Sequence, residues 1–162
     1  MAAKSQKSNK HSPETVNKKA YHNFELIDKY QAGLALKGSE VKSLRSGTAD
    51  LSGSYARLDD AGQCWLVGAN IAQYKQDSST SYEPLRKRKL LLHKAEIRKI
   101  RIKLEQRGFT LVPLRIYFND RGLAKTELAL AKGKRQFDKR QTITERDQKR
   151  DIDRSMSKYR RT

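Results

Sequence analysis

Residues 112–130 read VPLRIYFNDRGLAKTELAL. Val112, Leu114, Ile116 and Phe118 occupy every second position, and Ala124, Thr126, Leu128 and Leu130 resume the alternation after Asn119-Asp120-Arg121-Gly122. Successive side chains of an extended chain point to opposite faces, so each half is a strand with one buried face. The Asn/Asp/Gly stretch between them supplies a tight turn. The segment is an antiparallel hairpin, and the rest of the chain has to pack around it.

Immediately upstream the period changes from two to that of a helix. Ile97, Ile100 and Leu104 lie at i, i+3 and i+7 among Arg98, Lys99, Arg101 and Lys103, in a segment that starts at His93 and stops at Gly108. Ser54–Leu58 and Cys64–Val67 flank Asp59-Asp60-Ala61-Gly62, a second strand–turn–strand pattern. Phe24, Leu26 and Tyr30 share one parity, as do Leu34 and Leu36, which predicts two short strands on either side of Gly33. Ser39 stands where it can cap a short helix with Glu40 in its first turn, Val41 and Leu44 on one side and Gly47 as its stop. Residues 73–83 are polar and lead through Pro84 into a basic run, so they read as a loop. The class is mainly β with helices. About six short strands, a short helix and one longer helix placed before the last two strands predict a small closed β-barrel of the oligonucleotide-binding (OB) type, because closure removes exposed strand edges. A split barrel and a small mixed sheet are the alternatives.

The chain has 162 residues, with 36 Lys+Arg against 18 Asp+Glu, a formal charge of +18 that makes a polyanion the expected partner. At 36% hydrophobic it can bury one core of about 100–120 residues, so one domain with extensions is expected. Residues 1–16, with three Lys against one Glu, read as a disordered basic arm. Residues 17–131 form the barrel. Residues 132–162 hold twelve basic and five acidic groups with few large apolar side chains, and read as a basic tail that is disordered when free. Within the body, residues 86–107 alone carry ten basic and two acidic groups. The excess charge therefore sits in two islands, one on the domain and one on the tail.

Other classes are disfavoured. No apolar run approaches the roughly 20 residues that cross a bilayer, and the basic N-terminus continues into polar residues where a secretory signal would turn apolar. No membrane partner is expected. A single cysteine suits a reducing, cytoplasmic location. His11, His22 and His93 have no Cys or carboxylate neighbours at metal-ligand spacing, so neither metal nor cofactor is expected. Cys64 precedes Trp65 in an apolar strand and reads as a core residue, not a nucleophile. Gly122-Leu-Ala-Lys-Thr lacks the second glycine and the following helix of a phosphate loop, and Asp59-Asp60 sits in a hairpin tip. No catalytic residue emerges and the protein is not expected to be an enzyme.

The basic features carry the chemistry. Arg86-Lys87-Arg88-Lys89 runs into Leu90-Leu91-Leu92, which places a candidate phosphate-binding edge beside a hydrophobic anchor. Asn17-Lys18-Lys19-Ala20-Tyr21-His22 groups amide, ammonium, imidazole and phenol just before the first strand, a set suited to unpaired nucleotides. In the tail Ile152, Met156 and Tyr159 fall at i, i+4 and i+7, so a helix forming there on binding would present an apolar stripe amid basic groups such as Lys149 and Arg150.

With these residues in view the sequence resembles the SmpB family of bacterial ribosome-rescue factors over roughly residues 15–162. The resemblance rests on NKKAYH at 17–22, GLALKGSEVKSLRSG at 33–47 with Ser54-Tyr55 after it, RKLLLHKAEI at 88–97, ALAKGK at 129–134 and Asp138-Lys139-Arg140. It implies an OB barrel that holds the tRNA-like domain of transfer-messenger RNA (tmRNA) and delivers it, in a complex with elongation factor Tu, to a stalled ribosome for trans-translation. It also implies a tail that occupies the empty mRNA channel near the small-subunit decoding centre. Carried onto this sequence, the family motifs place Asn17, Lys18, Ala20 and His22, with Lys19 among them, at the RNA surface. Gly33, Lys42, Arg45 and Leu91 join them, and Glu40 organises a helix start. The tail set is Lys132, Gly133, Lys134, Asp138, Lys139 and Arg140, with Phe137 a stacking group. Gln31 stands where some members carry glutamate, and Ser155 where some carry an apolar residue. A structural or assembly protein that binds ribosomal RNA is the alternative reading.

Overall fold

The computed structural model describes residues 13–76 and 82–134, together with Ile152 and Met156. In chain order the elements are β1 (Thr15–Val16), α1 (Lys18–Asn23), β2 (Phe24–Leu34), α2 (Gly38–Arg45), β3 (Ala49–Asp50), β4 (Tyr55–Leu58), β5 (Cys64–Val67), β6 (Asn70–Ile71), β7 (Arg88–Leu91), α3 (Lys94–Leu104), β8 (Phe109–Phe118) and β9 (Ala124–Gly133).

β8 and β9 are the hairpin read from residues 112–130, extended to ten residues a side, with Phe109 opposite Lys132 and Phe118 opposite Ala124. Asn119 makes the turn: its carboxamide oxygen accepts from the Leu123 N–H at 2.8 Å, and Gly122 takes φ +73°. The β4–β5 hairpin repeats this chemistry, with Asp59 accepting from the Gln63 N–H at 2.7 Å and Gly62 at φ +75°. β9 also pairs along β2, from Phe24 opposite Gly133 to Gly33 opposite Lys125. The order β8-β4-β5-β7-β2-β9, with β9 bonded back to β8, closes a ring of six strands. The expected closure is found. The principal core fills the ring, with Leu66, Leu111, Leu128 and Ile71 fully buried beside Ile100 of α3 and Leu44 of α2. Cys64 belongs to it, 1% exposed, and burial pushes its thiol up to about 12, so it is packing material.

Several local expectations are corrected. Residues 24–34 form one strand where two were expected: the chain runs unbroken through Gly33, and its irregularity is a bulge between Leu26 and Asp28. Gly33 is bare because Leu91 lies across it, and a Cβ there would stand 3.3 Å from the Leu91 Cβ. α2 is capped at Lys37 and not at Ser39. The Arg88–Leu91 run is a strand, and α1 is a third helix that the sequence pattern did not disclose. The folded unit also outruns 17–131 at both ends, since Thr15 and Val16 pair with Ile116 and Arg115, and Lys132 and Gly133 complete β9.

The largest departure concerns the basic run. Glu40, fully buried at the third position of α2, accepts the Lys37 N–H at 2.7 Å, Arg86 Nε at 3.0 Å and Nη2 at 2.5 Å, and Arg88 Nε at 2.8 Å. Arg88 is 0% exposed, and its remaining donors reach the carbonyls of Ala69 (2.6 Å), Arg86 (3.2 Å) and Pro84 (2.8 Å). One carboxylate thus ties α2 to the start of β7 and to the loop before it. Burial alone raises the Glu40 pKa, but hydrogen bonds from Arg86 and the Lys37 N–H, with the charge and hydrogen bond of Arg88, outweigh it and hold the carboxyl below its ordinary value of 4.5. A depressed carboxyl contributes stability that is present above its ordinary pKa and lost as pH falls through the folded value. Glu40→Gln should therefore lower stability at neutral pH by about 3 kcal/mol or more, because Arg88 stays buried without its counter-charge. Urea unfolding of this variant should also show a shallower loss of stability than wild type as pH falls below 4.5; parallel curves would contradict the assignment.

Candidate nucleic-acid interface

The NKKAYH motif becomes α1 through Asn17. Its side-chain amide donates to the carbonyls of Leu51 and Pro113, both at 3.0 Å, and its oxygen accepts the Ala20 N–H at 3.1 Å, capping the helix. Its backbone N–H reaches Leu114 O at 2.7 Å. The two β8 carbonyls lie beside the register shift between Pro113 and Arg115, where the ladder is interrupted. Asn17 is 5% exposed and Ala20, 2% exposed, packs on Val112 and Leu114, so both are corrected from surface contacts to supports. They leave Lys18 and Lys19 exposed and His22 half-buried, its Nδ1 at 3.1 Å from Asn23 Oδ1. α1 also touches the root of the tail, because the Lys134 N–H donates to Asn23 O at 3.0 Å. Lys132 and Gly133 are exposed beside it.

A second group gathers at the far end of β2, ten residues along and on the order of 30 Å away. Gly33 and the half-exposed Leu91 face each other across the β2–β7 ladder. Lys42 and Arg45 lie on α2, and each is steadied by an aromatic ring: Lys42 Nζ lies 5.6 Å from the centre of Tyr74 and the Arg45 guanidinium 5.3 Å from that of Phe118. Both side chains reach solvent. Lys87 and Lys89 follow at the start of β7. Of the four adjacent cations, then, Arg88 is withdrawn into the core and Arg86 is committed to Glu40, so the expected phosphate edge reduces to Lys87 and Lys89. Between the two groups Gln31 donates to the Tyr117 hydroxyl. Nearby, Glu127 bridges Arg115 (2.5 Å) and Lys29 (3.2 Å), and its carboxyl stays below the usual range because these cations outweigh its partial burial.

A family model described as SmpB protein matches residues 14–158. The chain belongs to the SmpB family. It is 50% identical over 140 residues to the SsrA-binding protein of Sulfurihydrogenibium sp. (strain YO3AOP1), covering 86% of this chain and 91% of that one. It is 52% identical over 129 residues to the SsrA-binding protein of Thermus thermophilus, covering 80% and 89%. A chain of the solved structure "tmRNA-SmpB: a journey to the center of the bacterial ribosome" matches with TM-score 0.65 and 50% identity, over 81% of this chain and 94% of that one.

Set on this SmpB fold, the candidate residues form two separate groups and not one patch. Asn17, Lys18, Lys19, Ala20, His22, Lys132, Gly133 and Lys134 lie at one end of β2, and Gly33, Lys42, Arg45, Arg86, Lys87, Arg88, Lys89 and Leu91 lie toward the other. Phe137, Asp138, Lys139, Arg140, Lys149 and Arg150 fall outside the described residues; Ile152 and Met156 are helical and each 61% exposed. Sequence reading missed Tyr74 and Phe118 as props for the α2 cations, because only the fold brings them there. Among the described residues no group of three or more His, Cys, Asp or Glu is placed to hold a metal. Asn17→Ala should cost about 2–3 kcal/mol, from the lost cap and two buried carbonyls left unpaired. Lys19→Gln on the same helix should stay within about 0.5 kcal/mol of wild type. Urea unfolding of the two variants checks the contrast.

Proposed function

We propose that this chain is a non-enzymatic, cytoplasmic adaptor that binds the tRNA-like domain of tmRNA and carries it, with elongation factor Tu, to stalled ribosomes for trans-translation. The observation that supports it most is the separation of tasks along β2: a surface of cations and Leu91 at one end, and the root of a strongly basic segment beside α1 at the other. Lys42 and Arg45 neutralise phosphates of the captured RNA, pre-aimed by Tyr74 and Phe118, and Leu91 packs on a sugar or base. The twelve basic groups of residues 132–162 draw the tail toward the phosphates that line an mRNA path, and resident mRNA excludes it by occupying the same space. Ile152 and Met156, four positions apart and both helical, give the tail an apolar stripe to set against the channel wall.

Ending the chain after Lys134 should leave affinity for a tRNA-like transcript nearly intact and abolish peptide tagging on stalled ribosomes, since β9 is complete by Gly133. Equal loss of both would sink the division of labour. Conversely, Lys42→Gln with Arg45→Gln should weaken binding of the transcript and reduce the slope of log K against log salt by up to about one unit for each phosphate no longer neutralised. An unchanged slope in filter-binding titrations would remove these two residues from the RNA surface.

A further inference from the structure

A second, smaller core lies outside the ring and is left open on one side. Ala20 of α1 packs there with Val112, Leu114, Ala129 and Ala131, on the sheet face opposite Leu111 and Leu128. These side chains are mostly small, and their roof, α1, is only six residues long. Beside it a groove of about 700 Å³ runs between α1 and the turn that leads into β4. β8 lines the groove with Thr110 and Val112, the α1–β2 junction with Ala20 and Phe24, and β4 with the ring of Tyr55, a residue 43% exposed. Lys19 stands at the rim next to Lys18; both are exposed, and among the described residues neither makes an ion pair.

The groove begins where the tail begins. Asn23 and Phe24 both line it, and they are the residues that hold the tail's root: Asn23 O accepts the Lys134 N–H at 3.0 Å, and Phe24 pairs with Gly133. Eighteen residues lead from Lys134 to Ile152, a reach of up to about 60 Å, so the tail can return to its own origin. Ile152 and Met156 are helical and each 61% exposed, and Tyr159 continues their spacing. Charge selects the same segment. Residues 145–153 hold four carboxylates against three cations, whereas the rest of 132–162 holds nine cations and one carboxylate. Ile152 thus sits between Asp151 and Asp153 in the one acidic turn of a basic tail, and the groove's rim is cationic. We propose that in the free protein the tail folds back on its own body, residues 145–159 lying as an amphipathic helix over the groove, with Ile152 and Met156 against Val112 and Tyr55 and with Asp151 and Asp153 beside Lys18 and Lys19. Because the contact is intramolecular, the linker supplies an effective concentration on the order of 1 mM, and a weak interface is enough to close it. The groove and any other surface that takes Ile152 and Met156 exclude each other, so the docked tail is a resting state that a competing surface must open. The contact is made within one chain, and its failure would leave the ribosome reading untouched.

The test uses the full chain, isotope-labelled for amide spectra, with Ser157→Cys carrying a nitroxide spin label. Ser157 lies about 140° round a helix from Ile152, clear of the apolar stripe. Cys64, 1% exposed and with its thiol pushed up to about 12, stays unlabelled. The amide signals of Ala20, Asn23, Ser54, Tyr55 and Thr110 should lose at least about half their intensity relative to the chemically reduced label, the loss that a mostly docked tail produces. Ile152→Gln with Met156→Gln removes the stripe at little cost in helix propensity and should restore these signals. Lys18→Gln with Lys19→Gln should reduce the loss, and melting temperatures verify that each variant folds. Signal loss confined to the residues around Lys134 overturns the proposal, as does loss at the groove that either pair of substitutions leaves unchanged. Equal loss when the nitroxide is carried by a second, isotopically silent copy also overturns it, because the occupant would then be another molecule and not the chain's own tail.

Discussion

A single buried carboxylate sets the arrangement of half the molecule. Glu40 is out of water, and a buried charge is tolerable only when it is paired and hydrogen-bonded. It draws in two guanidiniums from forty-six and forty-eight residues away, and with them the backbone of Pro84 and Ala69 through the remaining donors of Arg88. α2 is thereby locked against the start of β7, and Leu91 is delivered opposite Gly33. The solvent-facing cations of α2 owe their direction to the same lock. Satisfied electrostatics inside the protein thus precede, and position, the unsatisfied electrostatics on its surface.

How much of this could be read without coordinates depended on the range of the forces involved. The β8–β9 hairpin was legible because alternation and a four-residue turn are local, and Asn119 and Gly122 carry their own geometry. α3 was legible for the same reason, through the helical spacing of Ile97, Ile100 and Leu104. α1 was not, because six residues hold too little periodicity and its anchor bonds join Asn17 to carbonyls thirty-four and ninety-six positions away. The basic run misled in a different way. Four adjacent cations look alike whether water or a carboxylate answers them, and only the spatial position of Glu40 separates Arg88 from Lys87. Gly33 was read correctly as a special position but for the wrong reason: it breaks no strand, it makes room for a side chain on the next one.

The family motifs and the physics part company at the same points. The resemblance selected Asn17 and Ala20 as members of an RNA surface, while their burial gives them a supporting task, holding Lys18 and Lys19 where solvent reaches them. Leu91 is the converse case. A half-exposed leucine at a strand end has no packing reason to be there once Gly33 is accounted for, so its apolar surface is available to a partner. The ring holds the two groups of candidate residues apart, and the length of β2 measures the distance.

The closed ring has a consequence for how the chain comes into being. β9 is the last strand of the ring to be synthesised, yet it bonds to both β2 and β8, with Phe24 waiting for a partner at Gly133. Until that residue has left the ribosome that makes it, β2 has one unsatisfied edge and β8 lacks its long neighbour, each a template for pairing with another chain. Such non-local pairings also place folding among the slower small domains. The nascent protein is therefore most vulnerable just before its sheet closes, and a chain arrested short of Gly133 would be an aggregation-prone product of the kind of stalled translation it is proposed to resolve.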